Sequence, residues 1–336
     1  MNWLKAIQEK DLLDTPAPLA RFSKSQQRRL QSAYGRWLGF VAKQITANPQ
    51  ASGADALTPS NLRAYIDRLK VLFAPYTIAG FVTDLETVLR AFNQDDLGFV
   101  HIAATTLRRL GQPVGNKRTR LRPSSDLYRL GVELMNRAQN EPHPHVAACM
   151  FQDGLMIALL AARPVRLKNL ASIEIGRHLV RHGDHYWLVF PASEIKNHRH
   201  LEFPLPLEMT DLMESHIKIH RPILMRNVGK WGSTPHTGLW VSEHGSKLNR
   251  TAVYRRIYKR TREHFGAPVT PHLFRDAAAT SVAIEDPAHV GIITAILGHS
   301  NPRTGETYYN QATSLQAART HHAVVDYFKQ LNAQGV

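Results

Sequence analysis

The sequence predicts a mainly α-helical protein with one small antiparallel β-sheet, divided into two domains. Three observations predict it. Apolar residues recur at steps of three and four through most of the chain, the period of helices with one buried face. One stretch, "HLVRHGDHYWLVFP", instead pairs two short β-prone runs across a turn. A Gly- and Pro-containing break without apolar periodicity, "GQPVGNKRTRLRP" at 111–123, separates the helical first part from a mixed second part.

Residues 1–21 read as an N-terminal segment. Its start, "MNWLKAIQEKDLLD", carries acidic residues and lacks an apolar h-region, so no signal peptide is expected. Leu30, Tyr34, Trp37, Leu38, Val41 and Ile45 then form one apolar stripe of a first long helix. "TPSNLRAYIDRL" begins a second, with Thr58 as N-cap and Pro59 at the first helical position. "YTIAGFVTDLETVLRAF" and "LGFVHIAATTLRRL" supply two more, so 22–110 is expected to be a small helical domain. The break at 111–123 is a basic linker, whose Lys117, Arg118, Arg120 and Arg122 suit a strap laid against phosphates.

The second domain, 124–336, opens with helices over 125–139 and 144–163. Two strands follow around a turn at His182, Gly183 and Asp184, and "HLEFPLP" reads as a third. Helices dominate from 207 onward, ending in a C-terminal helical tail, "AARTHHAVVDYFKQL", with apolar Val325, Phe328 and Leu331. The run "LMIALLAA" (155–162) is too short to span a bilayer and reads as a buried helix.

Composition narrows the function. Across 336 residues, 42 Lys and Arg face 27 Asp and Glu, a net charge of +15. Such an excess points to a polyanionic partner, nucleic acid before anionic membrane. The single Cys149 cannot form an intrachain disulfide, which predicts a reducing, cytoplasmic setting. No G-x-x-x-x-G-K-[ST] and no G-x-G-x-x-G after a strand is present, against an ATP-driven or dinucleotide enzyme. None of the 18 histidines falls in H-E-x-x-H, and no carboxylate pair accompanies them, so no metal site and no two-metal nuclease is expected.

What remains is a set of polar residues in suggestive places. "TPHLFRDAAAT" puts Thr270 and Pro271 at a helix start, with His272 and Arg275 three apart on one face and Phe274, Ala278 and Val282 anchoring it. "VGIITAILGHS" ends an apolar helix at Gly298, just before His299. Arg166 sits early in "AARPVRLKNLASIEI", ahead of apolar Leu170 and Ile173, while Arg163 competes for its place. Lys196 lies at the turn between two strands, in "SEIKNHRHLEF". Guanidiniums can neutralise the oxygens of a five-coordinate phosphorus, a lysine can protonate a leaving alkoxide, and a tyrosine can accept the phosphoryl group. The helix "NRTAVYRRIYKRTREHF" adds Arg255, Lys259 and Arg262 on one face, opposite Val253 and Ile257, a surface suited to DNA.

In "PVRLKNLASI", "EIKNHRHLEFPL", "HLFRDAAAT", "LGHS" and the tyrosine that follows, the chain from about 22 to about 330 resembles the tyrosine recombinase (phage integrase) family. The resemblance implies a helical core-binding, DNA-binding domain joined to an α+β catalytic domain. It implies that Arg166 and Arg275 clamp the scissile phosphate, that Lys196 protonates the leaving 5′-oxygen, and that His272 assists proton transfer. His299 would bond the phosphate, and a tyrosine would form a 3′-phosphotyrosine link without ATP, metal or cofactor. Implied partners are double-stranded DNA, further protomers in a DNA-bound tetramer, and accessory recombination proteins, with no membrane. The chain departs from the family at Asn169, where an acidic residue is frequent, at Phe274, commonly Leu, and at Asp276, often His.

Two tyrosines compete for the nucleophile. Tyr308 follows His299 by nine residues, the commonest family spacing, and Tyr309 by ten, as in a subgroup ending like "TGETYYNQA". Tyr308 continues the stripe of Leu315, Ala318, His322 and Val325, whereas Tyr309 lies about 100° round, beside Ala312 and Gln316. Tyr309 is therefore preferred. Beside a recombinase or integrase of a mobile element, the same residues fit a type IB topoisomerase, a telomere resolvase or a non-catalytic DNA-binding protein.

Overall fold

The computed structural model describes residues 3–8, 17–44, 53–92, 96–111, 117–195, 200–229, 231–285 and 297. The described residues are mainly helical with one three-stranded antiparallel sheet, and the chain divides into two compact units, Met1–Asn116 and Lys117–Val336.

In the first unit a short helix α1 (Trp3–Ile7) precedes α2 (Lys24–Gln44), α3 (Pro59–Lys70), α4 (Pro75–Ala91) and α5 (Gly98–Leu110). Thr58 caps α3, its hydroxyl accepting from the Asn61 amide at 3.2 Å, with Pro59 in the first turn. The centre is aromatic: Trp37 and Tyr65 meet edge to face at 5.2 Å, Phe40 packs on Tyr65, and the Trp37 indole donates to the Gly53 carbonyl. One expectation changes. Leu38 is 39% exposed, and the buried stripe of α2 runs through Leu30, Ala33, Trp37, Phe40 and Val41 instead. In the stretch before 22, Ala6 and Leu19 are buried against Leu30, Val88 and Ala91.

The second unit begins with a 3₁₀ turn at Lys117–Arg120, inside the stretch expected to be linker. Helix α6 (Ser124–Gln139) then packs along α7 (Pro144–Ala162). Helix α7 is long and apolar enough to cross a membrane, yet thirteen of its residues are buried within this unit's core. Two glycines set the distance between α6 and α7. A Cβ on Gly154 would lie 2.5 Å from the Gly131 carbonyl oxygen, and one on Gly131 would lie 2.7 Å from the Ala158 nitrogen. Both obstacles are backbone and cannot swing aside.

After α7 a short helix α8 (Leu167–Ser172) leads into β1 (Leu179–His182), β2 (His185–Phe190) and β3 (Leu201–Pro204), in spatial order β1-β2-β3. The first hairpin pairs His182 with His185, leaving Gly183 and Asp184 as the turn, and Gly183 takes the positive φ of 58° that the turn needs. Leu188 and Phe190 face the core. Helix α9 (Glu208–Ser215), a π-helical turn at His216–His220 and α10 (Arg221–Met225) follow. The loop after them is tied back by Gln152 on α7, whose amide exchanges two hydrogen bonds with the Val241 backbone at 2.9 and 2.7 Å. Helix α11 (Arg250–Phe265), capped by Asn249, and α12 (Pro271–Glu285) complete the described part. On α12 the buried face is wider than expected: Leu273, Phe274, Ala277 and Ala278 are buried, while Val282 is half-buried.

His216 is fully buried, and its Nε2–H donates to the Leu239 carbonyl at 3.1 Å, so the ring is held neutral with Nδ1 unpartnered. Burial first, then the nearby His220 and Arg221, push its pKa down to about 4.

Two predictions follow from this packing. Gly154→Ala should lower stability by about 1–3 kcal/mol through overpacking, despite alanine's better helix propensity, and a urea unfolding midpoint will read the loss. For His216 the unfolded ring binds a proton below about 6.5 while the folded ring resists until about 4. Stability should therefore fall as pH drops through that window, by roughly 3 kcal/mol from this group at the lower end. A His216→Gln variant should show a visibly shallower slope of stability against pH over the same range; an unchanged slope would remove His216 as the cause.

Candidate active site

Arg166 is the N-cap residue of α8, with extended backbone, and its carbonyl accepts from the Leu170 amide at 2.9 Å. The far end of α8 is pinned by Trp240, whose buried indole N–H donates to the Leu170 carbonyl at 2.7 Å, and Asn169 and Leu170 are buried beneath it. The Arg166 side chain is half-buried, and desolvation draws its pKa below the ordinary guanidinium value, though it remains a cation.

Arg275 and His272 come from the first turns of α12. The Thr270 carbonyl accepts from the Leu273 and Phe274 amides, starting the helix where Pro271 favours it. Arg275 is 7% exposed, and its two terminal nitrogens donate to the carbonyls of Pro164 and Leu297. His272, one turn earlier, is exposed. The two lie with Arg166 around one open cavity of about 380 Å³, whose remaining walls are Leu167, Tyr254, Thr270 and Pro271. Arg163, the competitor, is turned elsewhere: it donates to the carbonyls of Pro204 and Ala162, and its guanidinium lies over the Phe203 ring. Lys196, His299, Tyr308 and Tyr309 lie outside the described residues, as do Gly298, the tail stripe and Ile45.

Tyr254 is a wall of the cavity that sequence reading passed over. It sits on α11 between buried Val253 and exposed Arg255, and its ring lies 5.9 Å from that of Tyr258. The available signal was its offset from the Val253 and Ile257 stripe. Arg255, Lys259 and Arg262 are exposed on the opposite face, as expected, with Lys259 only loosely paired to Glu263 at 3.9 Å. Helix α11 is clamped from behind. Asp153 on α7 is 3% exposed and accepts from Arg256 at 3.0 Å and Arg260 at 2.9 Å. Burial alone would lower the Arg256 pKa, but the Asp153 carboxylate turns the shift upward. Of the linker cations, Arg120 and Arg122 are half-buried, and Arg122 lies over the Phe265 ring at 5.6 Å.

Residues 131–314, more than half of the chain, match the phage integrase family. The chain belongs to this family of tyrosine recombinases. Part of it is 33% identical, over 91 residues, to the tyrosine recombinase XerD of Chlamydia pneumoniae, a stretch covering 26% of this chain and only 30% of that protein. Among solved structures, the XerH site-specific recombinase bound to difH substrate in a pre-cleavage complex superposes with a TM-score of 0.56 at 14% identity, covering 88% of this chain and 85% of that one. At that identity the likeness is one of fold. The XerA recombinase aligns over 90% of this chain and 93% of its own, at 16% identity and a TM-score of 0.42. The family match includes Arg166, Lys196, His272, Arg275, His299, Tyr308 and Tyr309.

Proposed function

We propose that this protein is a site-specific DNA recombinase, an integrase of the mobile-element kind, that cuts and rejoins strands through a 3′-phosphotyrosine link. The observation that carries the reading is the convergence of Arg166, His272 and Arg275 on one open cavity from segments far apart in sequence. Two guanidiniums and an imidazole around a space of this size suit a phosphodiester whose non-bridging oxygens gain charge as phosphorus becomes five-coordinate. Buried Arg275 acts from a fixed orientation, because both of its terminal nitrogens are already bonded to backbone.

In this mechanism the Tyr309 phenol oxygen attacks phosphorus, and the P–O bond to the 5′-oxygen breaks. Lys196 gives a proton to that 5′-oxygen, His272 assists removal of the phenol proton, and His299 bonds the phosphate. The new ester conserves the energy of the old one, so a 5′-hydroxyl from a second duplex can reverse the step without ATP. The cations supply the charge neutralisation that a metal would otherwise provide. Exposed Arg255, Lys259 and Arg262 on α11 are proposed to lie along DNA phosphates, as are Lys117, Arg118, Arg120 and Arg122. Two duplexes would be held by a tetramer of this chain, with accessory recombination proteins, in the cytoplasm.

The test uses nicked duplexes tiled across the DNA that flanks the gene, incubated with the purified chain in excess EDTA and resolved on denaturing gels. A covalent protein–DNA adduct supports the reading. Loss of adduct in EDTA, restored by magnesium, would overturn the metal-free mechanism, and tight binding without adduct would make the protein a non-catalytic DNA binder. Tyr309→Phe should eliminate the adduct and Tyr308→Phe retain it; the reverse makes Tyr308 the nucleophile. Arg275→Ala should reduce adduct formation by at least ~10²-fold, by analogy with loss of an oxyanion donor, with DNA affinity little changed on a mobility-shift gel.

A further inference from the structure

We propose that Tyr254 is a further catalytic residue, whose hydroxyl donates a hydrogen bond to a non-bridging oxygen of the scissile phosphate. The inference rests on the reading of the Arg166–Arg275 cavity as the phosphate site.

The cavity has walls of three kinds. Arg166, His272 and Arg275 bring guanidinium and imidazole groups, Leu167 and Pro271 are apolar, and Tyr254 and Thr270 are neutral but carry hydroxyls. Of these two, the tyrosine holds its oxygen at the end of a rigid ring, well away from its own backbone. A phosphodiester's two non-bridging oxygens accept several hydrogen bonds between them, and they accept more strongly as charge builds on them. Arg275 already commits both terminal nitrogens to the carbonyls of Pro164 and Leu297. A neutral donor beside the cations adds stabilisation where that charge develops, a task that a tyrosine hydroxyl can perform.

The placement of Tyr254 is determined by its helix. Asp153 pairs with Arg256 and Arg260 and so fixes the rotation of α11. At about 100° per residue, Tyr254 stands roughly 60° from the centre of the buried row Val253, Ile257 and Thr261, and Arg255 about 100° further round. Tyr254 therefore occupies the edge between the core face and the exposed cationic face. In the DNA path proposed above, a strand that follows Arg255 and Arg262 meets the cavity across this edge. The ring is half-buried and packs beside Tyr258, one turn on, with centroids 5.9 Å apart and planes tilted by 34°. Among the described residues no hydrogen bond engages its hydroxyl. A supported ring thus presents an uncommitted donor at the wall shared with Arg166, His272 and Arg275.

The experiment measures single-turnover adduct formation by the full chain, with protein in saturating excess over a nicked duplex that yields adduct with the wild type. Tyr254→Phe, which keeps the ring and loses only the oxygen, should slow the reaction about 10-fold or more while DNA affinity on a mobility-shift gel changes little. Tyr258→Phe, the same change one turn away and outside the cavity wall, should react at the wild-type rate. The deciding measurement uses the two phosphorothioate diastereomers at the scissile position, each with one non-bridging oxygen replaced by sulfur, a weaker acceptor. The ratio of wild-type to Tyr254→Phe rates should persist on one diastereomer and fall towards one on the other. An undiminished rate for Tyr254→Phe overturns the proposal. So does a ratio that is equal on both diastereomers, or equal slowing by Tyr258→Phe, since either assigns the effect to packing of α11. Absence of any adduct with the wild-type chain instead overturns the recombinase reading, and the role of Tyr254 falls with it.

Discussion

A buried guanidinium must find oxygens for the N–H groups it takes out of water, and in this protein that requirement organises the site. Arg275 meets it with the carbonyls of Pro164 and Leu297, which belong to two separate stretches of chain. Pro164 stands two residues before Arg166, and Leu297 two residues before His299 in sequence. The bonds that make burial tolerable also tie α12 to the segment from which Arg166 projects. They depend in turn on α7, because Pro164 can lie where it does only if the helix before it is fixed. The glycine contact between α6 and α7 and the Gln152 bonds to Val241 do that fixing.

Much of the fold was legible because its signals are local. The Thr58–Pro59 start of α3, the β1–β2 hairpin and the faces of α11 each follow from a few neighbouring residues. Arg166, His272 and Arg275 were legible as an ordered set of motifs, and the structure places those three around one cavity. What stayed hidden depended on partners distant in sequence. Asp153 reads as a lone charge in an apolar helix until Arg256 and Arg260, 103 and 107 residues away, close on it. The pairing of His178 with Glu194 has no local pattern either, since the hydrogen bond joins a residue before β1 to one after β2. Leu38 was misplaced for a simpler reason. The buried row of Leu30, Ala33, Trp37, Phe40 and Val41 spans about 100° of the helix, and Leu38 lies about 60° beyond its Val41 edge. Helix α1 is five residues long, too short for periodicity to mark it.

Helix α11 shows how a buried charge can serve orientation. Its sequence is dense in cations, and on composition alone any face might have turned outward. Val253, Ile257 and Thr261 are buried, and Arg256 and Arg260 flank them on one side while Tyr254 and Tyr258 flank them on the other. At about 100° per residue, Arg255, Lys259 and Arg262 then centre roughly 170° from the buried row. A rotation of the helix by one residue would break both Asp153 pairs and leave that carboxylate buried without a partner, a costly state. Such a pair contributes little net stability over a hydrophobic replacement, but it tolerates only one rotation. That rotation sets Tyr254 into the cavity wall beside Arg166 and leaves the three cations facing solvent. The wall of the cavity and the charged outer face are thus two consequences of one buried aspartate on the helix behind them.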